Sequence, residues 1–271
     1  MSQSNDNLKG AQRPPKAYRF FTWQLIRVAL TAEYKKSFVG LLWLLILPLI
    51  SVVIWTLLNG AGVINPGPIG VPYPAYVLLS TSIWGFFADI YSTTSQVLTN
   101  HSRILLTAHF PLRTLITERI VVHLIRFSIP LILNLLVLVY FGVDFGWKAW
   151  YFPFAIVPLM LLGAGLGLLV SLFRVLILDV AQLADQSIKL LMYLSPVVYS
   201  PRLEAGWLAD VIYYNPLTYL LGYPRDLLTL NRWFEPTNFA IVTVGTLLFF
   251  AWSVRVFQRH TRKAMERLIN N

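Results

Sequence analysis

Three basic residues at the start of one apolar stretch are the first candidates for chemistry. Arg119, His123 and Arg126 recur at the i, i+4 and i+7 positions of a helix, so they share one face. Such a stripe could receive an anionic group, for example a lipid diphosphate. In the alternative interpretation the two arginines extend to lipid head groups and His123 makes a polar contact. Both interpretations remain open at the level of sequence.

Two acidic residues lie inside other apolar stretches. Asp89 has no second acid at a helical spacing, and its expected use is a hydrogen bond to another helix. Asp185 and Lys189 are spaced i, i+4 with the acid first, which is the order typical of an internal ion pair. Asp89 therefore predicts a contact between helices, Asp185 and Lys189 predict a pair within one helix, and the absence of a second acid near Asp89 argues against a proton relay.

The chain lacks the motifs of nucleotide hydrolysis, metal binding and nucleophilic catalysis. It has no G-x-x-x-x-G-K-[ST] loop, no H-E-x-x-H, no G-x-S-x-G and no D-x-D pair. It has no cysteine, and its four histidines show no metal-ligand spacing. Gly163, Gly165 and Gly167 lie in the middle of an apolar stretch and predict close helix packing. We therefore predict no catalytic, cofactor-binding or metal-binding residue in this chain.

These side chains must be positioned by a fold that lies mostly in a membrane. Of the 271 residues, 56% are apolar and 13% are charged, whereas soluble domains carry about 25% charged residues. Six bilayer-spanning helices would each need about 20 residues. The expected fold class is an all-α integral membrane protein with six transmembrane helices, at about 39–58, 74–98, 115–141, 150–173, 180–199 and 237–256.

The positive charge is distributed in a way that predicts the orientation of the chain. The net charge is +10, and it lies in short stretches between apolar spans, which favours membrane orientation over nucleic-acid binding. Lys and Arg are frequent before the first span and after the last one, and the loop 59–73 has none. Both termini are therefore expected in the cytoplasm. The expected division is a polar cytoplasmic tail (1–17), an amphipathic interface helix (18–36), one six-span domain (37–256) and a cytoplasmic C-terminal tail (257–271).

Two segments outside the spans carry further patterns. Phe21, Leu25, Val28 and Ala32 form one apolar stripe, which predicts a moderately amphipathic helix that could lie along the cytoplasmic face of the bilayer. The segment 200–236 combines aromatic residues and prolines with apolar pieces too short to span. It fits either re-entrant or interfacial helices, or a loop that lies on the head groups.

Aromatic residues make up 14% of the chain. Those in or near the spans could form belts at the membrane interfaces. They could also line a path, because sugar rings stack on aromatic faces through their apolar C–H side. The candidates for such a path are Trp43, Tyr76, Trp84, Phe87, Tyr193 and Tyr199.

Four motifs in order resemble those of type-2 ABC exporter permeases. The opening pattern is EYKKSFVGLLW at 33–43, followed by Pro48, and the Phe-Pro turn after the second span is HFPL at 109–112. The third motif is DV at 179–180 followed by LSPVVY at 194–199, and the fourth is NPL at 215–217 with Arg225. The likeness covers about residues 18–260, and the branch it most resembles exports polysaccharides such as O-antigen, capsule or teichoic acid. The chain departs from the pattern at Leu178, because the family usually has Arg before Asp-Val.

The resemblance implies a homodimer of six-span subunits in the cytoplasmic (inner) membrane, with a translocation path between the subunits. It also implies two separate ABC ATPase subunits that would bind ATP and Mg²⁺, since this chain would hold no cofactor. The surfaces implied to dock the ATPase are the 18–36 helix and the loop 100–113, with the candidates Phe20, Trp23, Arg27, Arg103, His109, Phe110 and Pro111. The segment 201–233 would re-enter the membrane as an extracytoplasmic gate, with the gate candidates Ser195, Pro196, Asn215 and Pro216.

The expected function is export of a lipid-linked polysaccharide, driven by ATP hydrolysis on the partner subunit. The anionic linker would meet the basic stripe, the sugars would meet the aromatic residues, and membrane lipids would surround the dimer. One alternative is the same architecture exporting a lipid or a drug. Others are an integral-membrane transferase, and a secondary transporter, which would predict an inverted internal repeat.

Overall fold

The computed structural model describes residues 15–34, 42–100, 112–202 and 206–270, and all regular structure within these ranges is helical. The first helices are α1 (Pro15–Tyr34), α2 (Trp43–Gly60), α3 (Tyr73–Ser95), the short α4 (Val97–Asn100) and α5 (Leu112–Tyr140). A 3-10 helix (Trp147–Tyr151) and the short α6 (Phe152–Ala155) lead into α7 (Val157–Leu176) and α8 (Leu178–Leu191). The chain continues with α9 (Trp207–Tyr214), α10 (Pro216–Thr229) and the long α11 (Pro236–Asn270). The predicted all-α class is confirmed for these residues.

Helix α3 lies at the centre of the fold. It packs against α2, α5 and α7, and α7 in turn packs against α11. Most α3 side chains are buried, among them Val77, Leu79, Ile83 and Phe87, each no more than 1% exposed. The α3 sequence is less apolar than those of α2 and α7 because it also carries Ser, Thr, Asp and Tyr residues, so the surrounding helices must provide both apolar and polar partners.

The glycine triplet of α7 allows this close packing, as the sequence predicts. A Cβ atom on Gly167 would lie 2.7 Å from the Tyr91 backbone oxygen, and one on Gly163 would lie 3.0 Å from the Phe87 backbone oxygen. A Cβ atom on Gly165 would instead lie 3.1 Å from the Phe249 ring on α11. The absence of a side chain at Gly163 and Gly167 therefore allows the close approach of α3, and its absence at Gly165 allows that of α11. The two contacts explain why glycine alternates along α7.

Three helices within the described ranges are long and apolar enough to cross a membrane. They are Ile116–Tyr140, Trp147–Leu176 and Pro236–Thr261, which match the third, fourth and sixth predicted spans. A shorter apolar helix, Leu45–Gly60, matches the first. The predicted fifth span, 180–199, is helical only to Leu191 and continues in turns, while α11 continues well past the predicted end of the sixth span at 256.

A charged cluster joins α3, α7 and α8. The Arg174 guanidinium donates to both Asp185 carboxylate oxygens at 2.8 Å, and its Nε donates to the Ser95 backbone oxygen at 3.0 Å. The Tyr91 hydroxyl donates to the same carboxylate at 2.9 Å. The predicted pair between Asp185 and Lys189 is therefore wrong. The partner comes from α7, and the Lys189 side chain is exposed.

The glycine contact generates a stability prediction. We expect Gly167→Val to lower the thermal unfolding midpoint of the detergent-solubilised protein by roughly 5 °C, because overpacking costs about 1–3 kcal/mol and no backbone atom of α3 can yield easily. Gly245→Val on α11 is the matched control, since a Cβ atom there meets nothing within 4 Å. Equal midpoints for the two variants would contradict this account of the α3–α7 contact.

Candidate functional site

The basic stripe of α5 is not a purely cationic surface in the structure. His123 Nδ1 lies 2.8 Å from the Asp89 carboxylate on α3, and His123 Nε2 lies 2.6 Å from the Thr93 hydroxyl. Arg126 lies 3.9 Å from the same carboxylate. Asp89 therefore meets another helix at ion-pair distance, through a member of the stripe itself, but the predicted hydrogen bond is not formed, because His123 Nδ1 lacks hydrogen-bond geometry.

Of the two ring nitrogens of His123, Nε2 is hydrogen-bonded to the Thr93 hydroxyl, and Nδ1 lies at ion-pair distance from Asp89 without the geometry of a hydrogen bond. The His123 side chain is 1% exposed and that of Asp89 is 48% exposed. An approaching ligand therefore meets the carboxylate before it meets the imidazole.

The remaining arginine of the stripe also has an acidic neighbour. Arg119 Nε lies 3.4 Å from the carboxylate of Glu118, whose side chain is 2% exposed. The stripe thus divides into Glu118 with Arg119, and Asp89 with His123 and Arg126. Sequence reasoning missed Glu118 and Thr93 as members of this cluster. Glu118 stood beside Arg119 in the sequence, but nothing in the sequence linked Thr93 to His123, 30 residues away.

The cluster of Asp89, His123 and Arg126 faces a cavity of about 260 Å³ between α2, α3 and α5. One end of the cavity is polar and carries the Asp89, His123 and Arg126 side chains. The rest of the wall is mostly apolar or small. The other lining residues are Trp43, Leu47, Pro48, Thr81, Ser82, Gly85, Phe86, Phe127 and Pro130.

The gate candidates lie close together, although 20 residues separate Ser195 from Asn215. The Asn215 side-chain amide donates to the Leu194 backbone oxygen at 2.9 Å and to the Ser195 hydroxyl at 3.0 Å. The Asn215 oxygen accepts from the Leu217 amide at 2.9 Å and caps α10. Pro196 is buried, and Pro216 is exposed at the first position of α10. Asn215 therefore ties the turn after α8 to the start of α10.

A buried arginine, which sequence reasoning noted only within a motif, fixes the same region. Arg225 of α10 is 1% exposed, and its guanidinium donates to the Pro196 backbone oxygen at 2.8 Å and the Ser80 hydroxyl at 3.3 Å. It lies over the Tyr76 ring, 4.4 Å from the centroid, and Asp226 lies beside it at 3.5 Å. These contacts hold α10 and the turn at 195–200 against α3.

The path aromatics fall into two groups. Tyr76, Trp84 and Phe87 are buried inside the subunit, at 3%, 6% and 0% exposure. Trp43 and Tyr193 are exposed, at 48% and 56%, and Tyr199 is partly buried. The Tyr76 hydroxyl donates to the Tyr199 backbone oxygen at 2.6 Å, which gives Tyr76 a packing role beside the gate. Only the second group presents ring surface outside this subunit.

The docking candidates on α1 are exposed. Phe20 and Trp23 are each 61% exposed, and Arg27 is exposed as well. Helix α1 packs against α5, and Ile26 is its buried residue at 5% exposure. Val28 of the predicted apolar stripe is 58% exposed, so it does not pack inside this subunit. Arg103, His109, Phe110 and Pro111 lie outside the described residues.

Comparison with known proteins identifies the family of this chain. The model of the ABC-2 type transporter family matches residues 21–226, which is most of the chain. The O-antigen export system permease protein RfbA of Myxococcus xanthus is 23% identical over 188 residues, covering 67% of this chain and 69% of the relative. Its name, like the family, is that of a non-catalytic permease component. By the extent of the family match, the chain belongs to the ABC-2 type transporter family, as a non-catalytic membrane permease subunit.

Proposed function

We propose that this chain is the permease of an ABC exporter that moves a lipid-linked polysaccharide, such as an O-antigen or a capsule, across the cytoplasmic membrane. The observation that carries the proposal is the similarity to a permease named for O-antigen export, over two thirds of both chains. The exposed rings of Trp43 and Tyr193 agree with a sugar-binding path. The chain supplies the path, and the energy comes from ATP bound with Mg²⁺ on a separate ATPase subunit.

The proposed assembly is a homodimer with two ATPase subunits. Helix α1 offers the ATPase an exposed apolar surface in Phe20 and Trp23, with Arg27 one turn further. An aromatic pair of this kind is typical of the residues that dominate protein interfaces. In this arrangement α1 lies on the cytoplasmic face, and both chain termini are cytoplasmic.

The proposed membrane arrangement keeps six spans. Three of the spans are the long apolar helices, and the other three are α2, α3 and α8. Helix α3 needs no lipid-facing apolar surface because it is buried by its neighbours. Helix α8 has 14 residues and is about 21 Å long, less than the hydrocarbon thickness of about 30 Å. The turns that follow α8 and the short helices α9 and α10 then form the extracytoplasmic gate.

The decisive experiment is purification from the host in mild detergent, followed by mass spectrometry. A soluble ABC-type ATPase in stoichiometric amount supports the exporter proposal. Loss of surface polysaccharide after deletion of the gene supports the proposed cargo. Recovery of the ATPase with unchanged polysaccharide would point to a lipid or drug exporter instead.

The docking surface yields the first functional prediction. We expect Phe20→Ala combined with Trp23→Ala to lower the amount of co-purified ATPase at least about tenfold, because two aromatic anchors are lost. Leu248→Ala combined with Trp252→Ala is the matched control, since both residues are exposed on α11 within an apolar span. Normal ATPase recovery with the α1 variant would place the docking surface elsewhere.

The linker stripe yields a second prediction. We expect Arg119→Gln combined with Arg126→Gln to abolish export and to leave the ATPase complex assembled, because a diphosphate loses both guanidinium partners. The measurement is surface polysaccharide by immunodetection, with co-purification of the ATPase as the control for assembly. Export at the wild-type level would remove the stripe from the path.

The gate contacts yield a third prediction. We expect Asn215→Ala to increase hydrogen exchange of the 207–230 backbone roughly tenfold, because the helix cap and the two bonds to the preceding turn are lost together. Asn238→Ala is the matched control, since its side chain makes one long contact of 3.4 Å to Glu235. Unchanged exchange would show that Asn215 does not hold the gate helices.

A further inference from the structure

The cavity between α2, α3 and α5 has the shape of a site for an amphiphile. Its lining runs along α3 from Thr81 to Asp89, eight residues or about 12 Å along the helix axis. Leu47, Pro48, Phe86, Phe127 and Pro130 supply an apolar wall. The charged side chains all lie at the Asp89 end, and the other end has only the hydroxyls of Thr81 and Ser82. A hydrocarbon chain fits the body of this cavity, and a polar head group fits the charged end.

The charged end of the cavity carries both negative and positive side chains. The Asp89 carboxylate is about half exposed and faces the cavity, with His123 at 2.8 Å and Arg126 at 3.9 Å. The Arg126 side chain is 13% exposed. A carboxylate on a membrane helix is costly unless a cation or a hydrogen-bond donor reaches it. His123 approaches one of its oxygens, Oδ2, and the exposed half of the side chain remains open to the cavity.

We infer that this cavity binds a bilayer phospholipid whose head group carries both an ammonium and a phosphate, with one hydrocarbon chain in the cavity. The ammonium contacts the Asp89 carboxylate and the phosphate contacts the Arg126 guanidinium. Charge complementarity selects this occupant. A purely anionic lipid would place its phosphate beside Asp89, and a like charge at that distance is unfavourable. The inference goes beyond the proposed function, because it concerns a lipid that stays bound to the resting subunit, whereas the proposed cargo linker contacts Arg126 only while it passes.

Gly85 provides a way to close the cavity without disturbing its walls. It lines the cavity on α3, and a Cβ atom there would meet nothing within 4 Å. A leucine at this position projects into the space that the hydrocarbon chain would fill. Gly245 on α11 is the matched control, because it too has nothing within 4 Å and does not line this cavity.

The test uses the purified full-length chain in nanodiscs of equal parts phosphatidylethanolamine and phosphatidylglycerol. Native mass spectrometry after release from the discs counts the lipids retained by each subunit. We expect the wild type and Gly245→Leu to retain phosphatidylethanolamine in preference to phosphatidylglycerol by about fivefold, the ratio expected from one partly exposed ion pair. Gly85→Leu loses this bound lipid.

A second variant tests the head-group contact without changing the cavity. Asp89→Asn keeps the side-chain shape and an oxygen beside His123, but removes the charge that attracts the ammonium. We expect retention to shift toward phosphatidylglycerol, with the fivefold preference lost. Equal retention of the two lipids by the wild type, or unchanged retention in Gly85→Leu, would overturn the inference.

The remaining possible occupants are a second copy of the chain and the lipid carrier of the cargo. The natural sequence has no cysteine, so Gly85→Cys introduces a single thiol. Cross-linking of two subunits through this thiol would show that a protein surface covers the cavity and would overturn the inference. Co-purification of a polyprenyl phosphate in place of the phospholipid would overturn it as well. None of these results depends on the co-purification of an ATPase or on surface polysaccharide, so they are distinguishable from failure of the proposed function.

Discussion

The polar side chains of α3 set the constraint to which the other helices conform. A helix enclosed by protein in a membrane cannot satisfy its polar groups with bulk water, so its neighbours must do so. Ser82 accepts from Asn134 of α5, Tyr91 donates to Asp185 of α8, and Ser95 accepts from Arg174 of α7. Helices α5, α7 and α8 therefore each bring at least one polar side chain to α3. The apolar side chains supply the packing, and each of these bonds places a residue of the neighbouring helix on the side that faces α3.

The same constraint changes the meaning of the basic stripe. On an isolated helix, Arg119, His123 and Arg126 would form a cationic face. Beside α3, Asp89 lies against two of them, and Glu118 lies beside the third. An anionic linker that reaches this surface must compete with two carboxylates, so the stripe is suited to transient contact rather than tight binding. Transient contact is what a transport path needs, because a cargo that is bound tightly does not leave.

The opposite end of α3 contacts the segment that we propose as the gate. Tyr73 and Tyr76 donate to backbone oxygens in the turn at 196–199, and Ser80 accepts from Arg225 of α10. The cavity with Asp89 and the contacts with this segment therefore lie on one continuous helix. They are separated by 13 residues from Tyr76 to Asp89, or about 20 Å. Helix α3 thus places both regions at fixed positions relative to each other.

The helices of the first four spans and of the sixth could be predicted from the sequence because their apolar runs are long, whereas the fifth predicted span, which Asp185 and Lys189 interrupt, is helical only to Leu191. The motif carrying Asn215 also indicated the right neighbourhood for the gate. The partners of Asp185 and His123 could not be predicted, because helical spacing relates residues within one helix only. Asp185 has a suitable partner four residues away in Lys189, yet it binds Arg174. Arg174 extends from α7 and reaches the Ser95 backbone and the carboxylate together, whereas the Lys189 side chain is exposed. In such a fold, a local charge pattern shows which residues can pair, and the packing of the helices around α3 decides which of them do.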